Sequence, residues 1–288
     1  MNLMNGTPYI LDAHQAIDKQ GKRYLVALCK ATFNFPEEAS QLPELSEDQT
    51  AIYAEDVFDG EPDPSNIVFE CDYGLRKSKC DVILKATAYA PNAIPVTELI
   101  AGFKLGNCQK TVRVTGDRNW QGLLTLSPSP PESFTQMPLH YKRAFGGMIP
   151  PLNEKDSGLY YAANPIGCGY AQGKYTALRK REAVPNLEYE DEKIARCDGQ
   201  YQPCAFGPIG RSWEPRLKLA GTYDENWKEN TFPLLPDDFD EEFFQCAPTD
   251  QRIAFPVGGE SVTLVNLNRY QPQINFYLPD LDLPMALI

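Results

Sequence analysis

The chain has 288 residues, 42% of them hydrophobic, and a net charge of −12. That composition can bury a large core, and no stretch approaches the roughly 20 apolar residues of a membrane span. Clustered cations are confined to Arg179, Lys180 and Arg181, which argues against nucleic acid or an anionic membrane as partner.

The amino terminus, Met1 to Tyr9, has neither a basic start nor an apolar run of export length, which predicts a cytoplasmic protein. Its eight cysteines are then expected to stay reduced. Leu25, Ala27, Cys29, Ala31, Phe33 and Phe35 alternate with their neighbours and predict one long strand with a buried face. Residues 31–75 hold twelve acids and no Lys or Arg. They read as a solvated acidic loop, or alternatively as a surface for a basic protein.

Val82, Leu84, Ala86 and Ala88 predict a second strand, and Leu99 to Leu105 a third. Gly106-Asn107 then turns the chain into a partner strand carrying Val112 and Val114. Prolines at 128, 130, 131, 138, 150 and 151 interrupt the pattern and mark a lobe boundary. Short helices are expected over 175–183 and over 237–246, where acids follow Pro236 in the first turn. Val262 to Val265 and Ile274 to Leu278 are the last strands, and the apolar ending Met285 to Ile288 is expected to pack on the fold or on a partner.

The expected class is therefore mainly β: antiparallel sheets in a sandwich-like or two-lobed arrangement, with long Pro/Gly-rich loops and few short helices. Twenty-five prolines spread along the whole chain leave long helices little room. The domain organisation is one domain over 1–288, with lobes at 1–130 and 131–288 as the compatible subdivision.

No catalytic constellation emerges. His14 and His140 are the only histidines, and His140 is expected to be a surface or packing residue rather than a general base. A Cys168–His140 pair is the one thiol-hydrolase candidate, without an orienting third residue. The cysteines lack the close spacing of zinc pairs, and the acidic runs at 55–63 and 237–242 lack the alternating ligand spacing of a calcium loop. Gly146-Gly147 and Gly258-Gly259 read as turns, since neither continues into a phosphate-binding motif. No cofactor and no metal are expected.

The second half instead carries unusual composites: Pro-Asn-Leu-Glu at 185–188, Phe-Gly-Pro-Ile at 206–209, Trp-Glu-Pro-Arg at 213–216 and Gly-Thr-Tyr-Asp-Glu-Asn-Trp at 221–227. Such loop residues point to binding rather than to packing. Trp, Tyr and Arg dominate interface hot spots, so Arg143, Phe145, Trp213, Arg216, Tyr223 and Trp227 are the candidate partner-binding residues. The structural alternative has both tryptophans filling the core and both arginines pairing with acids such as Asp117 or Asp224.

These composites follow Lys30–Phe35, Gly60–Asn66, Arg76–Val82, Ala88–Pro91, Val112–Trp120, Tyr141–Gly147 and Asn164–Tyr170, and precede Leu234–Phe239. In that order, over nearly the whole chain, they resemble the bacterial type VI secretion adaptor family labelled domain of unknown function 2169. Cys80 and Cys168 depart from its usual residues. The resemblance implies a non-enzymatic adaptor or chaperone that binds an effector, often one with a PAAR tip domain, and helps load it onto the VgrG spike. A carbohydrate-binding or carbohydrate-active β protein with an acidic, aromatic cleft, and a cysteine hydrolase, are the alternatives.

Overall fold

The structure, a computed structural model, describes residues 4–36, 41–60, 66–123, 125–256 and 258–279. Most of the Gly60–Asn66 motif and the apolar ending, Met285 to Ile288, lie outside the described residues.

Strands β1 (Ile10–Ile17) and β2 (Arg23–Lys30) form an antiparallel ribbon in full register, Ile10 opposite Lys30 and Ile17 opposite Arg23. The predicted long strand thus stops at Lys30, and its inward face is only half-buried over Ala27 to Phe33, with Leu25 45% and Phe35 66% exposed at its ends. Two strands alone have no second layer deep enough to cover them. β3 (Val57–Asp59) pairs with β4 (Asn66–Phe69) around a register shift between Val57 and Phe58.

β5 (Cys80–Asp81) and β6 (Thr87–Tyr89) lie at either end of the alternating run predicted as one strand. Between them the ladder partners change, since Val82 N–H donates to Gln251, Leu84 N–H to Phe206, and Ala86 accepts from Leu139. β7 (Glu98–Leu105) and β8 (Cys108–Thr115) make the predicted hairpin, with Leu105 opposite Cys108. Gly106 takes a φ of 55° at the first turn position, a conformation open to glycine without Cβ strain. β9 (Arg118–Gln121) pairs with β10 (Ser127–Pro128), and β11 (Gln136–Pro138) with β6.

Four two-residue strands follow, β12 (Phe145–Gly146), β13 (Met148–Ile149), β14 (Leu159–Tyr160) and β15 (Cys168–Gly169). β12 and β15 pair in parallel, β13 and β14 antiparallel. β16 (Ala183–Val184) joins β9, and β17 (Leu187–Glu188) joins β8. After helices α1 (Glu214–Leu217) and α2 (Glu225–Asn230), β18 (Arg252–Ile253) pairs with β5. β19 (Ser261–Val265) and β20 (Gln273–Tyr277) complete a five-stranded antiparallel sheet in the order β17-β8-β7-β19-β20.

One face of this sheet builds the main core. β7 turns Leu99, Ala101 and Phe103 inward, β8 Val112 and Val114, β19 Val262 and Leu264, and β20 Ile274 and Phe276. Each fully buried side chain of this size contributes about 1.5–3 kcal/mol relative to exposure, so this alternation outweighs local propensity in fixing the sheet. The second layer consists of short ribbons and loops that place Met137, Leu139, Tyr141, Phe206 and Trp213 on that face. A smaller core gathers Trp120, Phe145, Tyr170, Tyr175 and Val184. The main core draws on residues from both sides of position 130, as does the smaller one.

The expected helices are reduced to 3-10 turns, Gly173–Arg179 and Glu241–Phe244. The first ends because Arg181, at φ 72°, redirects the chain and donates to Trp120 before Ala183 pairs with Asn119. Both α-helices sit in the loop composites instead. In α2 the Asp224 carboxylate caps Trp227 N–H at 2.8 Å, a local signal of the usual N-cap kind.

Candidate functional site

The acidic segment 31–75 is tied to the body of the protein. Asp72 pairs with Lys30 at 2.6 Å, Asp56 with Arg211 at 3.1 Å and Asp59 with Lys142 at 3.5 Å. Glu70, whose side chain is 8% exposed, meets Arg216 at 2.6 Å and Arg211 at 3.2 Å. The segment is therefore more than a solvated acidic loop, since several of its charges are spent inside the chain.

Beside this anchored segment lies an apolar groove of about 400 Å³, within the roughly 300–1,000 Å³ of ligand pockets. Its lining joins Ile67 and Val68 of β4 to residues 83–87, with Pro138, Leu139 and Pro208. The inner edge of the 83–87 stretch is fixed by Gln251, wholly buried, whose Nε2 donates to the carbonyls of Val82 and Phe206. His140 also lines the groove.

His140 is shared with a polar cleft of about 600 Å³, lined by Asp117, Arg118, Lys142, Arg143, Cys168 and Asn186 among others. The Lys142–Asp59 ion pair links the rims of groove and cleft. Arg118, on the cleft lining, is tied behind it to Glu188, 2.5 Å away, with side chains 4% and 0% exposed. Arg118 Nη2 also donates to Pro185 O at 2.6 Å. Asn186 Nδ2 donates to Thr115 O and to Asp117, and its Oδ1 accepts from Arg143 at 2.8 Å. The Pro-Asn-Leu-Glu motif is thus structural residue by residue, with Leu187 in the main core.

The Cys168–His140 pairing finds both residues on the cleft wall. Burial pushes the Cys168 thiol up to about 11, in spite of Arg179, Arg143 and Arg118 nearby. Burial also pulls His140 below the usual imidazole range, reinforced by Arg143 and Lys142. Both shifts favour the protonated thiol and the neutral imidazole near neutral pH, and among the described residues His140 Nδ1 has no hydrogen-bond partner. That is the opposite of an activated thiolate. His140 itself precedes a 3-10 turn, Tyr141–Arg143, and does not sit in a strand.

The candidate contact residues separate into two groups. Phe145 is wholly buried against Tyr161, Tyr170 and Tyr201, Trp213 is 5% exposed with its ring edge-on to Tyr141, and Arg216 is 1% exposed. Arg216 donates to Glu70, to Ile209 O and to Phe243 O. These three cannot form a contact surface, because the interior satisfies their rings and donors. Arg143 remains partly exposed at the cleft rim, paired with Asp117 at 3.2 Å. Tyr223, 53% exposed, and Trp227, half-buried, stack edge-on beside Phe232 on α2 and its flanks. The structure therefore does not bring the six together.

The 221–227 motif is fixed by similar local needs. Gly221, at φ 80°, lies against Pro236, and Thr222 bonds the Asp238 carboxylate through both N–H and hydroxyl. The composites that looked free of packing constraint are in fact caps, buried pairs and core plugs. Glu70, Arg118, Glu188 and Gln251 were not singled out from the sequence. Arg118 and Glu188 do lie inside conspicuous motifs, whereas Glu70 and Gln251 carry no local signal.

Among the described residues, no helix is long and apolar enough to cross a membrane, and no group of three or more His, Cys, Asp or Glu is placed to hold a metal ion. No curated protein and no solved structure matches the chain. The profile of one family, described as "Uncharacterized protein conserved in bacteria (DUF2169)", matches residues 20–288, and the chain belongs to that family.

Proposed function

We propose that this protein is a cytoplasmic adaptor or chaperone of bacterial type VI secretion, which holds an effector, often one with a PAAR tip domain, and helps load it onto the VgrG spike. It works by gripping a polypeptide and transforms no substrate. The observation that carries the reading is the apolar groove meeting the polar cleft at His140, a pairing of apolar wall and charged rim that suits a polypeptide. The raised Cys168 thiol supports binding over thiol hydrolysis at the same place.

Co-expression with the cognate spike and effector tests it. The expected result is co-purification of at least one of them with the full chain. Clean separation from both would overturn the reading.

A further inference from the structure

Residues 80–90 run as one extended segment whose inner edge is bonded in turn to Gln251, Phe206, Leu139 and Thr135. The N–H groups used on that edge, of Val82 and Leu84, are two residues apart, the repeat of extended chain. The N–H and C=O groups of Ile83 and Lys85 then face the opposite edge, and among the described residues none of them has a hydrogen-bond partner. That open edge lines the apolar groove together with Ile67 and Val68. The edge is not rescued until Tyr89, whose N–H donates to Asn266.

The geometry points to this groove as a strand-addition site, in which an extended segment of a partner polypeptide pairs with the backbone of Ile83 and Lys85. Backbone bonds supply the affinity of such a mode and alternate side chains its selectivity. One set of side chains meets the apolar walls. Of the charged side chains on the groove, Asp59 is paired with Lys142, whereas Lys85 is exposed and in no ion pair among the described residues, so a carboxylate side chain is favoured beside the apolar ones. Lysine on a sheet edge also opposes pairing with an identical edge, because two copies would bring like charges together. The occupant is therefore a different chain, with alternating apolar residues and at least one Asp or Glu.

This inference rests on the adaptor reading for the partner's identity but not for its chemistry. The probe is a displayed library of random short peptides, panned on the full chain, with the winners remade as labelled synthetic peptides. Enrichment of alternating apolar sequences carrying Asp or Glu is expected, with the amides of Ile83 and Lys85 shifting in NMR spectra and gaining exchange protection. Lys85→Pro, which deletes an N–H that no internal acceptor uses, should weaken binding about tenfold. Lys85→Glu should shift the preference from acidic to basic peptides. If Lys85→Pro impairs folding, N-methylation of alternate peptide residues makes the same test on the unaltered protein: one phase of methylation abolishes binding and the other spares it.

Absence of any enriched peptide, or winners that bind with both amides unshifted, overturns the proposal. A Lys85→Pro chain that folds and still co-purifies the cognate effector undiminished keeps the adaptor reading and sinks the edge. A chain that takes the peptides at this edge yet ignores spike and effector does the reverse.

Discussion

The guanidinium of Arg216 meets the carboxylate of Glu70 at 2.6 Å, across 146 positions of sequence, with their side chains 2% and 8% exposed. The pair fastens the acidic segment to α1 and the turn at Glu241–Phe244, since Arg216 also holds Phe243 O. Removing one partner strands a buried charge, whereas the intact pair adds little by itself. Arg216→Met and Glu70→Gln should each destabilise the protein by about 3–5 kcal/mol. Urea unfolding of each variant, followed by circular dichroism, checks this, and the double variant should cost less than the sum of the two.

The candidate contact residues can be told apart by stability. Phe145→Ala and Trp213→Ala should cost about 3–5 kcal/mol, the range for deleting a large buried aromatic. Tyr223→Ala, at an exposed position, should stay within about 0.5 kcal/mol. Thermal denaturation of the three variants gives the comparison, and a loss at Tyr223 as large as that at Phe145 would contradict the burial.

His140 should set a pH dependence. Burial first, then Arg143 and Lys142, depress its folded pKa, with Asp59 partly opposing. The unfolded chain therefore binds the proton at higher pH, near the ordinary value of about 6.5. Stability is fully present above that value and falls as pH drops toward the depressed folded pKa. Denaturation midpoints between mildly acid and neutral pH should show this slope, and His140→Gln should flatten it.

Asp81 predicts a second, more acidic limb. Burial acts to raise its pKa, but the hydrogen bond and charge of Lys77, with the Cys246 amide and Gln245, outweigh it and hold it below the usual carboxylate range. Its stabilisation is present above the unfolded value of about 3.9 and is lost as pH falls through the lower folded one. Asp81→Asn should remove that acid limb, as read from acid titration of the near-ultraviolet signal.

Thiol chemistry checks the cleft. Burial pushes Cys168 up to about 11 and Cys204 up to about 12, so neither is a thiolate near neutral pH. Iodoacetamide should modify both slowly in the folded chain and quickly in urea, with mass spectrometry giving the site. Rapid, selective labelling of native Cys168, lost in His140→Ala, would instead support a thiol hydrolase.

The mainly β class and the central hairpin are legible in residue spacing alone. The period-two runs at 99–105, 112–115, 262–265 and 274–278 carry their own burial pattern, and Gly106 its own turn. Local information suffices there because side-chain alternation and backbone geometry share one period. Leu25 to Phe35 carry the same alternation but are only partly covered, and the helix expected over 175–183 gives way where Arg181 redirects the chain. Which polar residues pair emerges only once the chain has folded. Glu70 finds Arg216 and Arg118 finds Glu188 because distant segments converge, and a buried charge is tolerated only where such a partner arrives. The same convergence leaves the outer edge of Ile83 and Lys85 open beside the groove. Residue spacing is blind to it, since a missing hydrogen-bond partner is a property of what packs nearby.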